Sequence, residues 1–360
     1  MEARVLGGGR RAEWAVAPAK TVRAALFALG SLVVGCADET LPVTAVAYAD
    51  ADALFHQDEH WLGSDGAFSI PLDGERTLWL FGDTFVATSD ELDRTESRMV
   101  RNSVAIQVGS DPLTAEWSPR WRAGGEGPES FFAEEGSAWY WPSHGIRLAE
   151  GPLLIFMSRQ LPAESGLGFA AAGTRVAFVE NPDDEPVDWQ VDFVDPTPPA
   201  ADPSATIGMA VLRRDDDVFA FTGALGDRHV GWLARFHVAH LLAGNVEPEW
   251  LYEGDFVPGW RLSDAVPDTV IDDIAPECSV HFEPRWNRFV HVASTGFGST
   301  DIAIRTSLAP EGPWSDAVSV FTPPESLGSD PFVYAAKAHP ELRGSSDRAL
   351  LVTYATNSFD

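Results

Sequence analysis

Trp61 to Val86 reads WLGSDGAFSIPLDGERTLWLFGDTFV. Two apolar runs flank the turn LDGER, which predicts a β-hairpin. Each run carries an aspartate where a strand favours a neutral residue: Asp65 near the entry and Asp83 near the exit. An antiparallel turn between them returns the two strand ends to the same place. The 18 residues from Asp65 to Asp83 then collapse to neighbouring positions. Each aspartate alone has a structural explanation, since Asp65 would cap the turn GSDG and Asp83 would satisfy backbone amides in GDT. Together, ringed by Trp61, Trp79, Phe81 and Phe85, they read as a working carboxylate pair.

Similar hairpins recur along the chain. TLWLFGD, PLLIFMS, DVFAFTG, RFVHVAS and ALLVTYA begin at residues 77, 152, 217, 288 and 349, 61 to 75 residues apart. Each follows another short segment and a polar turn. RNSVAIQVG and TDIAIRTS add third strands to the first and fourth units. A unit of this size cannot bury both faces of its sheet alone, so the units must pack on one another. Radial packing predicts an all-β, five-bladed β-propeller, with LPVTAVAYA (41–49) as an outer strand closing the last blade. A β-sandwich is the runner-up, but its turns come every 8–12 residues. GWLARFHVAHLLAG (231–244) is the one strong helix candidate, although its first half also reads as a strand.

The composition agrees with many short strands: 13 Trp and 21 Phe for packing, 31 Gly and 26 Pro for turns. The net charge of −29 disfavours nucleic acid and anionic lipid as partners. It suits a neutral polymer, or simply a solvated surface. The N-terminus differs. Basic residues precede the apolar run AALFALGSLVVG (24–35), which ends at Cys36. The run is too short to span a bilayer and fits a secretory signal. VVGC resembles a bacterial lipobox, which would make Cys36 the lipidated N-terminus of the mature chain. The domains expected are a signal peptide at 1–35, a tether at 36–45 and the propeller at 46–360. The expected location is that of an exported lipoprotein, at the outer membrane, cell surface or periplasm. Its only membrane contact would be the lipid anchor, and the protein would be a monomer. No Cys/His spacing reads as a zinc site, and only Cys278 remains after Cys36.

Inner strands of a propeller meet at its axis, which ranks further candidates. Glu277 in APECSV would start the fourth inner strand, as a channel carboxylate that tunes a neighbour or holds a cation. His144 in WPSHG and His339 in AKAHPEL would donate to sugar hydroxyls or serve as structural donors. Arg159 and Asn357 end second strands, the place Asp83 occupies in its own unit. Arg101 and Asn102 would buttress Asp83, and Trp141 would stack on a sugar or fill the blade core. No cofactor or metal is expected, although several carboxylates near one axis leave room for a structural calcium ion. No loop matches a calcium-binding spacing.

GSDGAFSIPL with RTLWLFGDTF and RNS, WYWPSHG, APECSVHFEPRWNRFVHV and YAAKAHPEL together resemble five-bladed propeller proteins related to glycoside hydrolase family 183, of the domain-of-unknown-function 4185 and 5005 types. The resemblance covers about residues 61–357. It implies an endo-D-arabinanase-like glycosidase acting on furanose-rich polysaccharide, with Asp65 and Asp83 as catalytic carboxylates, and likeness to arabinanase and xylosidase propellers offers Glu277 as a general acid. A non-catalytic carbohydrate-binding or adhesion propeller is the alternative.

Overall fold

In the computed structural model the described residues are 21–29, 43–149, 151–164, 166–225, 229–259, 265–296, 301–327, 332–344 and 348–357. Among the described residues the chain is all-β apart from short turns of helix, and every strand pairing is antiparallel. Four blades form from consecutive strands. Blade one holds Trp61–Pro71, Arg76–Val86, Ser103–Val108 and Glu116–Arg120. Blade two holds Trp139–Arg147, Leu153–Pro162, Phe169–Val179 and Val191–Val194. Blade three begins Thr206–Arg214, Asp217–Leu225 and His229–His237, and blade four runs from Cys278–Glu283 to Val318–Phe321.

The remaining sheet is a composite. Its order is Val43–Ala47, Thr21–Leu29, Ala349–Asn357, Phe332–His339. Two strands come from each end of the chain. This corrects the expected architecture: the structure has four blades of consecutive strands rather than five, and a terminal sheet joins the chain ends. A preceding signal peptide is not shown. Thr21–Leu29, which overlaps the apolar run read as a signal, pairs along Ala349–Asn357. Val43–Ala47 is the outer strand of this sheet, as expected, but Thr21–Leu29 lies between it and the last strand. Cys36, the expected lipidation site, lies outside the described residues. The helix candidate at 231–244 resolves into a strand to His237 and one short helix, Val238–Leu242.

The continuous apolar runs follow from the packing. Successive strand residues face opposite sides, and each blade is covered on both. In blade one, Trp79 and Phe81 pack with Leu342 and Leu351 of the terminal region. Leu78 and Leu80, on the other face, pack with Tyr140, Leu153 and Ile155 of blade two. All four of these blade-one residues are fully buried, each stabilising the fold by about 1.5–3 kcal/mol. Blade two then meets blade three through Leu154, Phe156, Val218 and Ala220. Blade three meets blade four through Phe219, Phe221, Val280 and Phe289. Val290 and Val292 of blade four pack on Val333 and Val352 of the terminal sheet.

Four first strands are irregular at similar places. Pairing shifts register around Gly66, between Pro142 and Gly145, between Ile207 and Ala210, and between Tyr334 and Lys337. Gly66, Ala67, Gly208 and Ala335 adopt positive φ there, at 92°, 75°, 91° and 59°. A β-bulge bends its strand and re-aims the side chains beside it.

Candidate functional site

The two aspartates sit in the bulge of blade one. Ser64 pairs with Thr84 and Gly66 with Phe81, so Asp65 alone faces the Gly82–Asp83 pair. A Cβ at Gly82 would lie 3.6 Å from both Asp65 Cβ and Trp141 Cδ1. Asp65 and Trp141 thus both pack over the Gly82 backbone. Beneath them runs a buried chain of hydroxyls. Ser64 Oγ bonds Thr84 Oγ1 at 2.8 Å, and Thr84 Oγ1 bonds Ser103 Oγ at 2.8 Å. Ser64 Oγ also lies 3.0 Å from the Asp65 carbonyl and 3.1 Å from the Asp83 carbonyl. The serine of GSD, the threonine of GDT and the serine of RNS thus lock the two aspartate backbones together.

Donors from other strands aim the carboxylates. The Trp141 indole N–H, from blade two, donates to Asp83 Oδ1 at 2.8 Å. Arg101 Nη1 lies 3.5 Å from Asp83 Oδ2, and its guanidinium stacks 4.4 Å from the Trp139 ring centroid. Both donors favour the ionised carboxylate. The Tyr334 hydroxyl, from the terminal sheet, donates to Asp65 Oδ1. Burial raises the Tyr334 pKa well above the ordinary phenol value, and the charges of Asp65, Glu277 and Asp83 add to that. One phenol therefore feels all three expected catalytic carboxylates. Glu277 is half-buried and immediately precedes the first strand of blade four.

Lys337 was not singled out from the sequence. It is 1% exposed. Its ammonium donates to the carbonyls of Gly66 at 2.8 Å and Ala335 at 2.7 Å, joining the bulges that carry Asp65 and Tyr334. Burial lowers its pKa, opposed by the charges of Glu277, Cys278 and Asp65. Arg94, also unanticipated, lies where Asp65 and Tyr334 act on it electrostatically.

Several expected ligand contacts are occupied by the protein. His144 Nδ1 accepts the Val211 N–H at 2.9 Å, so its Nε2–H donates to the Ser69 carbonyl at 3.1 Å. The ring is a strut between blades one, two and three, and burial lowers its pKa to about 4. His339 is fully buried. It bonds Ser69 Oγ at 2.5 Å and Thr353 Oγ1 at 2.7 Å, and burial holds it well below the ordinary histidine value. Asn102 spends its amide on Phe132 N, Phe132 O and Tyr140 O at 2.6, 3.1 and 2.9 Å. It clamps blade one to blade two. Arg159 lies opposite Tyr140 in blade two, and its charge acts on that phenol. Asn357 is buried at the end of its strand, opposite Phe332. Cys278 is a buried free thiol with its pKa pushed up to about 12 by burial, which makes it a poor nucleophile. Among the described residues no group of three or more His, Cys, Asp or Glu is arranged to hold a metal ion.

The fold is similar to solved structures. A Bacteroides ovatus ATCC 8483 structure described as a "putative hydrolase" superposes with a TM-score of 0.62 at 16% identity, covering 85% of this chain and 88% of that one. An alpha-L-arabinofuranosidase from Podospora anserina matches at TM-score 0.43 and 7% identity, over 84% and 93% of the two chains. An exo-beta-1,3-galactanase from Phanerochaete chrysosporium matches at 0.45 and 13%, over 81% of this chain and 60% of its own. At these identities the likeness concerns the fold alone, and only the first is close enough to bear on it. No curated protein matches the sequence. The family comparison is decisive where these are not: its model matches residues 49–360, and the chain belongs to the family described as Domain of unknown function (DUF5005).

Proposed function

We propose that the protein is a glycoside hydrolase in which Asp65 and Asp83 work on opposite sides of a glycosidic bond in a furanose-rich, arabinan-like polysaccharide. The observation that carries this is the pair itself. Two aspartates meet at one bulge, and each carboxylate is aimed by a donor from a different sheet, Tyr334 or Trp141. Glycoside hydrolysis needs such a pair. Asp83, beside Arg101 and the Trp141 N–H, takes the ionised role, as base toward water or as nucleophile toward the anomeric carbon. The proton for the leaving oxygen comes from the carboxyl of Asp65. Trp141 is half-buried and lies beside Asp83, where an indole face suits a sugar ring. The resemblance of the GSDG and WLFGDT segments to endo-D-arabinanases supplies the substrate class.

A panel of neutral polysaccharides, D-arabinan and L-arabinan among them, incubated with the purified chain tests the proposal. Release of oligosaccharides from an arabinan supports it. Intact polymer in every case, with a folded protein, leaves a carbohydrate-binding propeller instead.

A further inference from the structure

Arg94 opens a short 3-10 turn, Arg94–Glu96, which is fixed by the Asp93 carboxylate accepting the Thr95 N–H at 2.8 Å. Its guanidinium lies 4.0 Å from the centroid of the Phe85 ring. Phe85 is two residues beyond Asp83 in the same strand. Asp65 and Tyr334 are the groups whose charge acts on Arg94. The guanidinium therefore lies on the Asp65 side of the site. None of its three nitrogens is exposed, and none has a hydrogen-bond partner among the described residues.

Other shielded arginines differ in this respect. Arg147 reaches Asp73 and Asp183 at 3.2 and 3.1 Å. Arg175 holds Asp195, and Arg235 holds Glu249. A guanidinium whose nitrogens are shielded from water and make no hydrogen bonds has lost hydration that the Phe85 ring alone does not replace. Its five N–H donors form a rigid planar fork that matches two oxygens on one edge of a ligand.

We infer that Arg94 is a substrate-binding residue that grips two acceptor oxygens of the sugar lying beside Asp65. Those oxygens are vicinal ring hydroxyls or the carboxylate of a uronic acid. The inference rests on the glycosidase reading of the same site and adds a specificity residue to it.

The test uses the full chain carrying Asp83→Asn, so that ligand binding is read without turnover. Neutral D-arabino-oligosaccharides and oligogalacturonates are titrated by calorimetry into this protein and into the same protein with Arg94→Met or Arg94→Lys. Arg94→Met weakens whichever class binds by about 10- to 100-fold, the range for hydrogen bonds to a charged group. Arg94→Lys, which keeps the charge and loses the fork, falls between. Binding of the neutral sugars identifies hydroxyls as the ligand oxygens, and binding of oligogalacturonate alone identifies a carboxylate. The Arg94→Met melting temperature stays level or rises, because a shielded charge that makes no hydrogen bonds has been removed. An unchanged Kd, or a marked fall in melting temperature showing a structural role, overturns the inference. Should neither oligosaccharide bind and no polymer be cleaved, the glycosidase reading fails by itself. Arg94 is then judged by thermal shift with sulfate and acetate: stabilisation lost in Arg94→Met sustains an oxygen-ligand site, and no stabilisation overturns it.

Discussion

The indole N–H of Trp141 donates to Asp83 Oδ1 at 2.8 Å, so a side chain of blade two aims a carboxylate of blade one. A hydrogen bond to a charged acceptor contributes about 1.5–3 kcal/mol. Trp141→Phe keeps the ring and loses the donor. We expect kcat/KM on arabinan to fall about 10- to 100-fold while the melting temperature moves by a few degrees at most. A loss of folding with no separate loss of activity would make the contact architectural.

The acid role separates with a change of leaving group. A variant lacking the general acid retains turnover of an aryl arabinofuranoside, whose nitrophenolate leaves without a proton, while losing polymer cleavage. We expect Asp83→Asn to lose both activities by 100-fold or more. Asp65→Asn should lose the polymer and keep the aryl substrate; that pattern in Glu277→Gln instead would move the acid role away from the aspartate pair. Steady-state rates on the two substrates make the assignment.

Asn102 is a purely architectural prediction. Its amide makes three hydrogen bonds between the blades. Asn102→Ala strands buried backbone groups, at a cost of about 1–3 kcal/mol for each group left unpaired. Urea unfolding should show a loss of about 3 kcal/mol or more. A loss under 1 kcal/mol would mean that water replaces the amide.

Four histidines tie stability to acid pH. Burial lowers His144 and His281 to about 4, His291 to about 3, and His339 well below its ordinary 6.5. The folded state holds these rings neutral. Above pH 6.5 both states are neutral and the effect vanishes. Below it the unfolded chain takes up protons that the folded chain refuses, so stability falls as pH drops from 6.5 toward 4. Each such ring adds at most about 1.4 kcal/mol per pH unit to the slope. Melting temperature recorded from pH 8 to 4 should be flat above 6.5 and fall below it, with a shallower fall in His291→Asn. A flat profile to pH 4 contradicts this reading.

The strands and the aspartate pair were legible because their signal is local. TLWLFGDTF is apolar on both faces because both faces are covered, and the hairpin brings Asp65 to Asp83 without distant contacts. The blade count was not legible. Spacing marks where hairpins occur, not which strands a sheet borrows from the far end of the chain. Thr21–Leu29 shows why: an apolar run of that length fits a signal segment and a strand equally. His339 reads as an axial candidate from the sequence because it lies in an inner strand. The bulge between Tyr334 and Lys337 breaks the period-two parity, turning His339 into the core and Tyr334 toward Asp65. Tyr334 itself stands 269 residues from Asp65, and nothing local in YAAKAH announces that contact.

The central claim is that Asp65 and Asp83 form a hydrolytic pair. Its most direct test follows oligosaccharide release from D-arabinan, with L-arabinan as control, by the wild-type chain and by Asp65→Asn and Asp83→Asn, each checked for an unchanged circular dichroism spectrum. The account predicts products from the wild type and a loss of 100-fold or more in polymer cleavage by both variants. Equal product release by all three proteins, or none from a folded wild type on either polymer, would contradict it.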